Sequence, residues 1–200
     1  MLGDALKRLL GTITQATSGP QPEQVEIAGL PVVVFNTRPD IRSEDALARL
    51  GAALALIDRY APWRGRHLRR DLSGILVQRF ACRAALFPEE RTCLIELTFL
   101  VNPAHTAEEV AASLVHEGMH ARVAASGARV GPAMKAKEER LCRRAELELG
   151  RSLPGETGKA VIARAEASLL LDDEAVAPRV DWDLARRRVA EVDRSAREGR

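Results

Sequence analysis

The chain has 200 residues, 46% hydrophobic and 29% charged, which suits a globular protein with a substantial core. Basic residues exceed acidic ones by only two, so the strong basic excess of a dedicated nucleic-acid binder is missing. No run approaches the roughly 18 uncharged apolar residues of a membrane span, and Met1 to Leu10 lacks a signal-peptide centre. Three cysteines, Cys82, Cys93 and Cys142, do not make a secreted disulfide framework, and the expectation is a cytoplasmic protein with no membrane span.

In chain order, Leu2 to Ile13 reads as a short amphipathic helix, and Thr17 to Pro22 as a linker. Pro31 to Phe35 is a β-branched run between Gly29 and Pro39, the pattern of a strand. Ser43 is placed to cap a helix over Ala46 to Tyr60, with Leu47, Leu50, Leu54 and Ile57 on one face and Pro62 as its stop. Arg64 to Arg70 reads as a solvated basic loop. Leu72 to Phe80 and Thr92 to Val101 are apolar runs, joined as a hairpin through Phe87 to Glu90, with Cys82 and Cys93 facing each other as reduced thiols. In the second run Cys93, Ile95, Leu97, Phe99 and Val101 alternate onto one face.

Thr106, followed by Glu108 and Glu109, opens a helix over Ala107 to Ala125 that Gly127 closes. Further helices are expected over Lys135 to Leu149, closed by Gly150, then Thr157 to Leu171 and Trp182 to Arg197. Strands before helices indicate an α+β domain. The expected division is an N-terminal helix and linker at 1–25, a metallohydrolase domain at 26–153, and a helical extension at 154–200 that packs on it.

The sharpest signal is His116-Glu117-Gly118-Met119-His120, an instance of HExxH. On a helix, residues i and i+4 share a face, so both imidazoles can reach one cation. Glu117 then stands beside the site as a base for water attacking a carbonyl, and zinc is the expected cofactor. A third protein ligand is needed, and the next helix offers Glu138, Glu139 and Glu146. Cys142 is a further candidate, although a small buried thiol is the more common use of such a residue. Glu138 falls in line with an apolar stripe of Leu141, Ala145 and Leu149, whereas Glu139 shares a face with Cys142, Arg143 and Glu146.

With Glu139 as third ligand, the pattern resembles the zincin metallopeptidases, in the gluzincin branch whose third ligand is a glutamate on the following helix. Eighteen residues separate His120 from Glu139, a spacing common in that branch. The resemblance covers about Ala107 to Gly150 and implies a zincin-like fold, a small twisted sheet packed on the HExxH helix. It also implies peptide-bond hydrolysis, with His116, His120 and Glu139 holding zinc and Glu117 as catalytic base. An edge strand would pair with an extended peptide or protein substrate, and Thr92 to Val101 is the nearest candidate. Arg122 departs from the pattern, since the second residue after the last histidine is usually apolar. Peptide deformylase also uses HExxH, with a cysteine ligand in an upstream motif that neither Cys82 nor Cys93 reproduces.

His67, His105 and Tyr60 are candidates for stabilising an oxyanion, and Arg143 for orienting a carboxylate, binding the intermediate or pairing with Glu139 or Glu146. The rival class is a non-enzymatic interaction module in which zinc only ties two helices together. Arg186 to Arg188, set among acidic residues, read as a solvated face.

Overall fold

The computed structural model describes residues 21–127, 132–178 and 181–197; the expected helix over Leu2 to Ile13 lies outside them. Strands β1 (Glu23–Ile27) and β2 (Leu30–Phe35) form an antiparallel hairpin around Ala28 and Gly29, at φ 51° and 75°. Helices α1 (Ser43–Tyr60) and α2 (Pro62–Asp71) follow, then β3 (Gly74–Gln78), β4 (Ala84–Phe87) and β5 (Thr92–Glu96). The remaining elements are α3 (Leu97–Val101), α4 (Ala107–Ala125), α5 (Pro132–Ser152), α6 (Lys159–Leu169), α7 (Asp173–Val176) and α8 (Trp182–Arg197).

The sheet runs β1-β2-β3-β5-β4, with β2, β3 and β5 parallel and a strand antiparallel to its neighbour at each end. Alternation decides its faces. Val32, Val34, Ile75, Val77, Cys93 and Ile95 point into the main core against α1, α3 and α4, while Val33, Leu76 and Leu94 pack on the opposite face with Phe80 and Phe87. Trp182 at the start of α8 leans on Phe80, with ring centroids 5.6 Å apart. A small mixed sheet packed on the HExxH helix and followed by further helices is an α+β, zincin-like arrangement.

Several local expectations change. Pro62 stops one helix but begins another, because its missing N–H is no loss at a first helical position; the basic run Arg64 to Arg70 is thus helical, not a loop. The run from Thr92 does not continue as strand to Val101. The Glu96 carboxylate accepts the Phe99 N–H at 2.7 Å, and that cap turns the chain into α3. Leu72 to Phe80 and the Thr92 run are parallel neighbours, and the hairpin partner of β5 is β4. Cys93 therefore faces Leu86 across the ladder, and Cys82 lies before β4; both are free thiols. Gly150 lies inside α5 and does not end it. There α6 approaches so closely that a Cβ on Gly158 would sit 2.0 Å from the Gly150 carbonyl oxygen.

Candidate metal centre and cleft

Helix α4 begins with a complete capping box: Thr106 accepts from the Glu109 N–H, and Glu109 accepts from the Thr106 N–H. From this start the helix buries Val110, Ala111, Leu114, Val115 and Ala121 in the core. Gly118, the first variable position of the motif, lets α2 come close; a Cβ there would stand 2.3 Å from Leu68 Cδ2. Arg122 is accommodated because it pairs with the buried Asp71 of α2, at 3.7 Å.

The remaining face of α4 opens on a cleft of about 660 Å³, lined by Ser113, His116, Glu117 and His120 together with β4, α5 and α6. The two imidazoles present Nε2 to each other at 3.2 Å. Their other nitrogens are taken: His116 Nδ1 donates to Glu146 at 2.6 Å, and His120 Nδ1 donates to Glu138 at 2.8 Å. A carboxylate behind each ring fixes its orientation and leaves Nε2 as the ligating atom.

The expectation of a glutamate as third ligand is corrected here. Ligand atoms of His116, His120 and Cys142 converge within 4.8 Å of one another, so the triad is His/His/Cys rather than the gluzincin set with Glu139. The reason lies in the helix face. The buried stripe of α5 is Cys142, Ala145 and Leu149, while Leu141 is 40% exposed, so the thiol points inward beneath α4. Glu139 sits one turn away on the same side, 3.3 Å from His116 Nε2 and 3.6 Å from His120 Nε2, as an ion-pair partner. Glu138 and Glu146, the other glutamates weighed, are the carboxylates behind the two rings.

The electrostatics follow from this packing. Burial alone would lower the His116 pKa, but hydrogen bonds to Glu139 and Glu146 outweigh it and bring it to about 9. Burial would lift the Glu139 and Glu146 carboxyls, yet His116 and nearby positive charge hold both below the usual range. Glu117 is pushed up by burial, with the two histidines pulling against it. Among the described residues its carboxylate has no hydrogen-bond partner. Burial also raises the Cys142 thiol far above a free thiol, with the surrounding glutamates adding to the effect.

Other candidates lie elsewhere. His105 packs edge-on to Phe99 with its ring 3.5 Å from Glu109, Tyr60 lies beside Arg59, and His67 lies against α4 in a small crevice with Arg64 and Arg122. Arg143 does reach the cleft and pairs with Glu146 at 2.7 Å. Arg164 on α6, not singled out from the sequence, donates to the other Glu146 oxygen at 3.0 Å. The strand facing the cleft is β4, an edge strand; β5, the expected substrate-binding edge, is interior.

Fold and donor set together define a class, an α+β protein with a zincin-like HExxH helix and a clustered His/His/Cys metal-binding triad. No family model, no curated protein and no solved structure matches this chain. Among the described residues no helix is long and apolar enough to cross a membrane.

Proposed function

We propose that this protein is a zinc-dependent peptide-bond hydrolase in which Glu117 is the general base. The observation that carries the reading is the pairing of two Nε2 atoms 3.2 Å apart with a buried carboxylate, Glu117, that has no hydrogen-bond partner among the described residues, on the same cleft wall.

The donor set fits zinc. Two nitrogens each about 2.0–2.1 Å from one tetrahedral ion stand roughly 3.3 Å apart, close to the spacing seen. Both rings are already turned by Glu138 and Glu146, so little reorganisation is needed. A thiol as buried as Cys142 stays protonated by itself, and a cation is what makes a thiolate stable there. His116, His120 and Cys142 would hold the ion, which when bound supplies Lewis acidity towards a carbonyl and water.

The chain's own residues supply the rest. Glu117, with its proton affinity raised by burial, takes the proton from the attacking water and delivers it to the leaving amine. Glu146 and Glu138 keep the imidazoles from rotating, and Glu139 balances charge beside both. An extended peptide would lie along the β4 edge, which among the described residues has no further strand beside it, in place of the contact in which the Ala84 carbonyl accepts from Cys82 Sγ at 2.9 Å. The three free thiols suit a reducing, cytoplasmic setting. The open cleft beside the histidines favours an enzyme over a closed structural site.

The test is elemental analysis and peptide turnover for wild type and Glu117→Gln. Near-stoichiometric zinc in both, with turnover reduced by about 10²–10⁴-fold in the variant, is the expected result. Equal turnover in both, or no zinc after refolding with the metal, overturns the reading.

A further inference from the structure

The cleft contains a pair of cations that the hydrolytic chemistry does not use. Arg143 on α5 and Arg164 on α6 each give one terminal nitrogen to Glu146, Nη1 to Oε1 at 2.7 Å and Nη2 to Oε2 at 3.0 Å. One carboxylate thus stands between two guanidiniums, and it also carries the hydrogen bond from His116. The Nε of each arginine is buried without an acceptor among the described residues. Each side chain remains 27% exposed, and both line the cleft. Other acids on that wall are engaged, Glu138 with His120 and Glu139 with both imidazoles. Lys135 adds to the positive charge there.

This pair lies near the scissile position. From Arg143 to the His116 ring is one carboxylate, with steps of 2.7 and 2.6 Å. A peptide advances about 3.3–3.6 Å per residue, so the guanidiniums are within about three residues of the bond to be cut. Planar guanidiniums with donors to spare match a carboxylate's two oxygens.

We propose that Arg143 and Arg164 form a carboxylate-recognition subsite, and that the substrate is a peptide bearing a carboxylate within about three residues of the cleaved bond. The carboxylate is either the C-terminal group or an aspartate or glutamate side chain. This rests on the hydrolase reading for its substrate class, but its test does not require turnover.

Zinc-loaded Glu117→Gln protein is titrated calorimetrically with N-acetyl-hexaalanine as the free acid, as the amide, and as amides carrying one aspartate at successive positions. Binding of an acidic probe at least tenfold tighter than the neutral amide is expected, given the strength of charge-assisted hydrogen bonds. Preference for the free acid identifies the chain end as the source; preference for an aspartyl amide identifies a side chain. Adding Arg164→Gln should erase the preference with zinc content unchanged, and Arg164→Lys should restore part of it. If Arg164→Gln loses zinc, Arg143→Lys and Arg164→Lys, which keep the charge without the fork, should each weaken the preference several-fold. Equal affinity for all probes, or an undiminished preference in variants that retain zinc, overturns the subsite. Wild-type turnover without acidic preference would sink the subsite alone; acidic preference without wild-type turnover would sink the hydrolase alone.

Discussion

Helices α4 and α5 build one site by different means. On α4 the two histidines are four residues apart, so helical geometry alone places them together, and a capping box anchors the start. On α5 three glutamates and a cysteine occupy Glu138, Glu139, Cys142 and Glu146, and all end near the same two rings. Spacing ranks none of them. The rotation of α5 against α4, set by burial of Cys142, Ala145 and Leu149, assigns each its place. A local motif carries its own geometry; ligands from a second helix inherit theirs from packing.

That contrast can be broken most directly at the third ligand. Cys142→Ser should weaken zinc binding by more than about a hundredfold, beyond the range for residues that act behind a ligand. Glu139→Gln should cost far less, and competition with a chelator reads both. An equal loss in the two would put α5's assignment wrong. Glu146→Gln, which removes the acceptor behind His116, should lower zinc affinity about 10–100-fold without removing a ligand.

The pH dependence separates the empty site from the loaded one. The His116 pKa is raised on folding from 6.5 to about 9 by Glu139 and Glu146. For metal-free protein this stabilisation is fully present below about 6.5 and is lost as pH rises through about 9. Zinc must displace the same proton, so its affinity should rise over that window. Denaturant melts with and without zinc at pH 6, 7.5 and 9 should therefore diverge; parallel curves would contradict the network around His116.

Smaller effects sharpen the contrast in stability. Gly158→Ala would drive a methyl into the Gly150 carbonyl and should destabilise by about 1–3 kcal/mol, separating α6 from α5 and loosening Arg164. Thr106→Ala removes the cap of α4 and should cost about 1 kcal/mol by urea melt, with zinc content preserved.

Much of this fold was legible because local chemistry decided it. The strand after Gly29 and the helices at Ala46 and Ala107 follow from apolar periodicity, with the Thr106 cap as expected, whereas Ser43, expected as a cap, is the first residue of α1 and its hydroxyl accepts instead from Asn36 Nδ2 at 3.2 Å. The short strand β1, with its mostly exposed, charged sequence, escaped notice, since only pairing with β2 makes it a strand. Alternation from Cys93 to Val101 suggested one long strand because period 2 continued past Glu96; the side-chain cap on Phe99 ended it. Arg164 carried no signal at all, being one arginine among many, 18 residues beyond the carboxylate it meets.

The sequence by itself determined the HExxH helix, its capped start and the placing of Glu117 beside the two histidines, because each depends on residues within one or two turns. Only the tertiary structure decided that β4 borders the cleft, that Cys142 takes the third place, and that Arg143 and Arg164 meet on Glu146. Those choices turn on which faces of α5, α6 and the sheet meet α4, and that is settled by burial of apolar side chains spread over the whole chain.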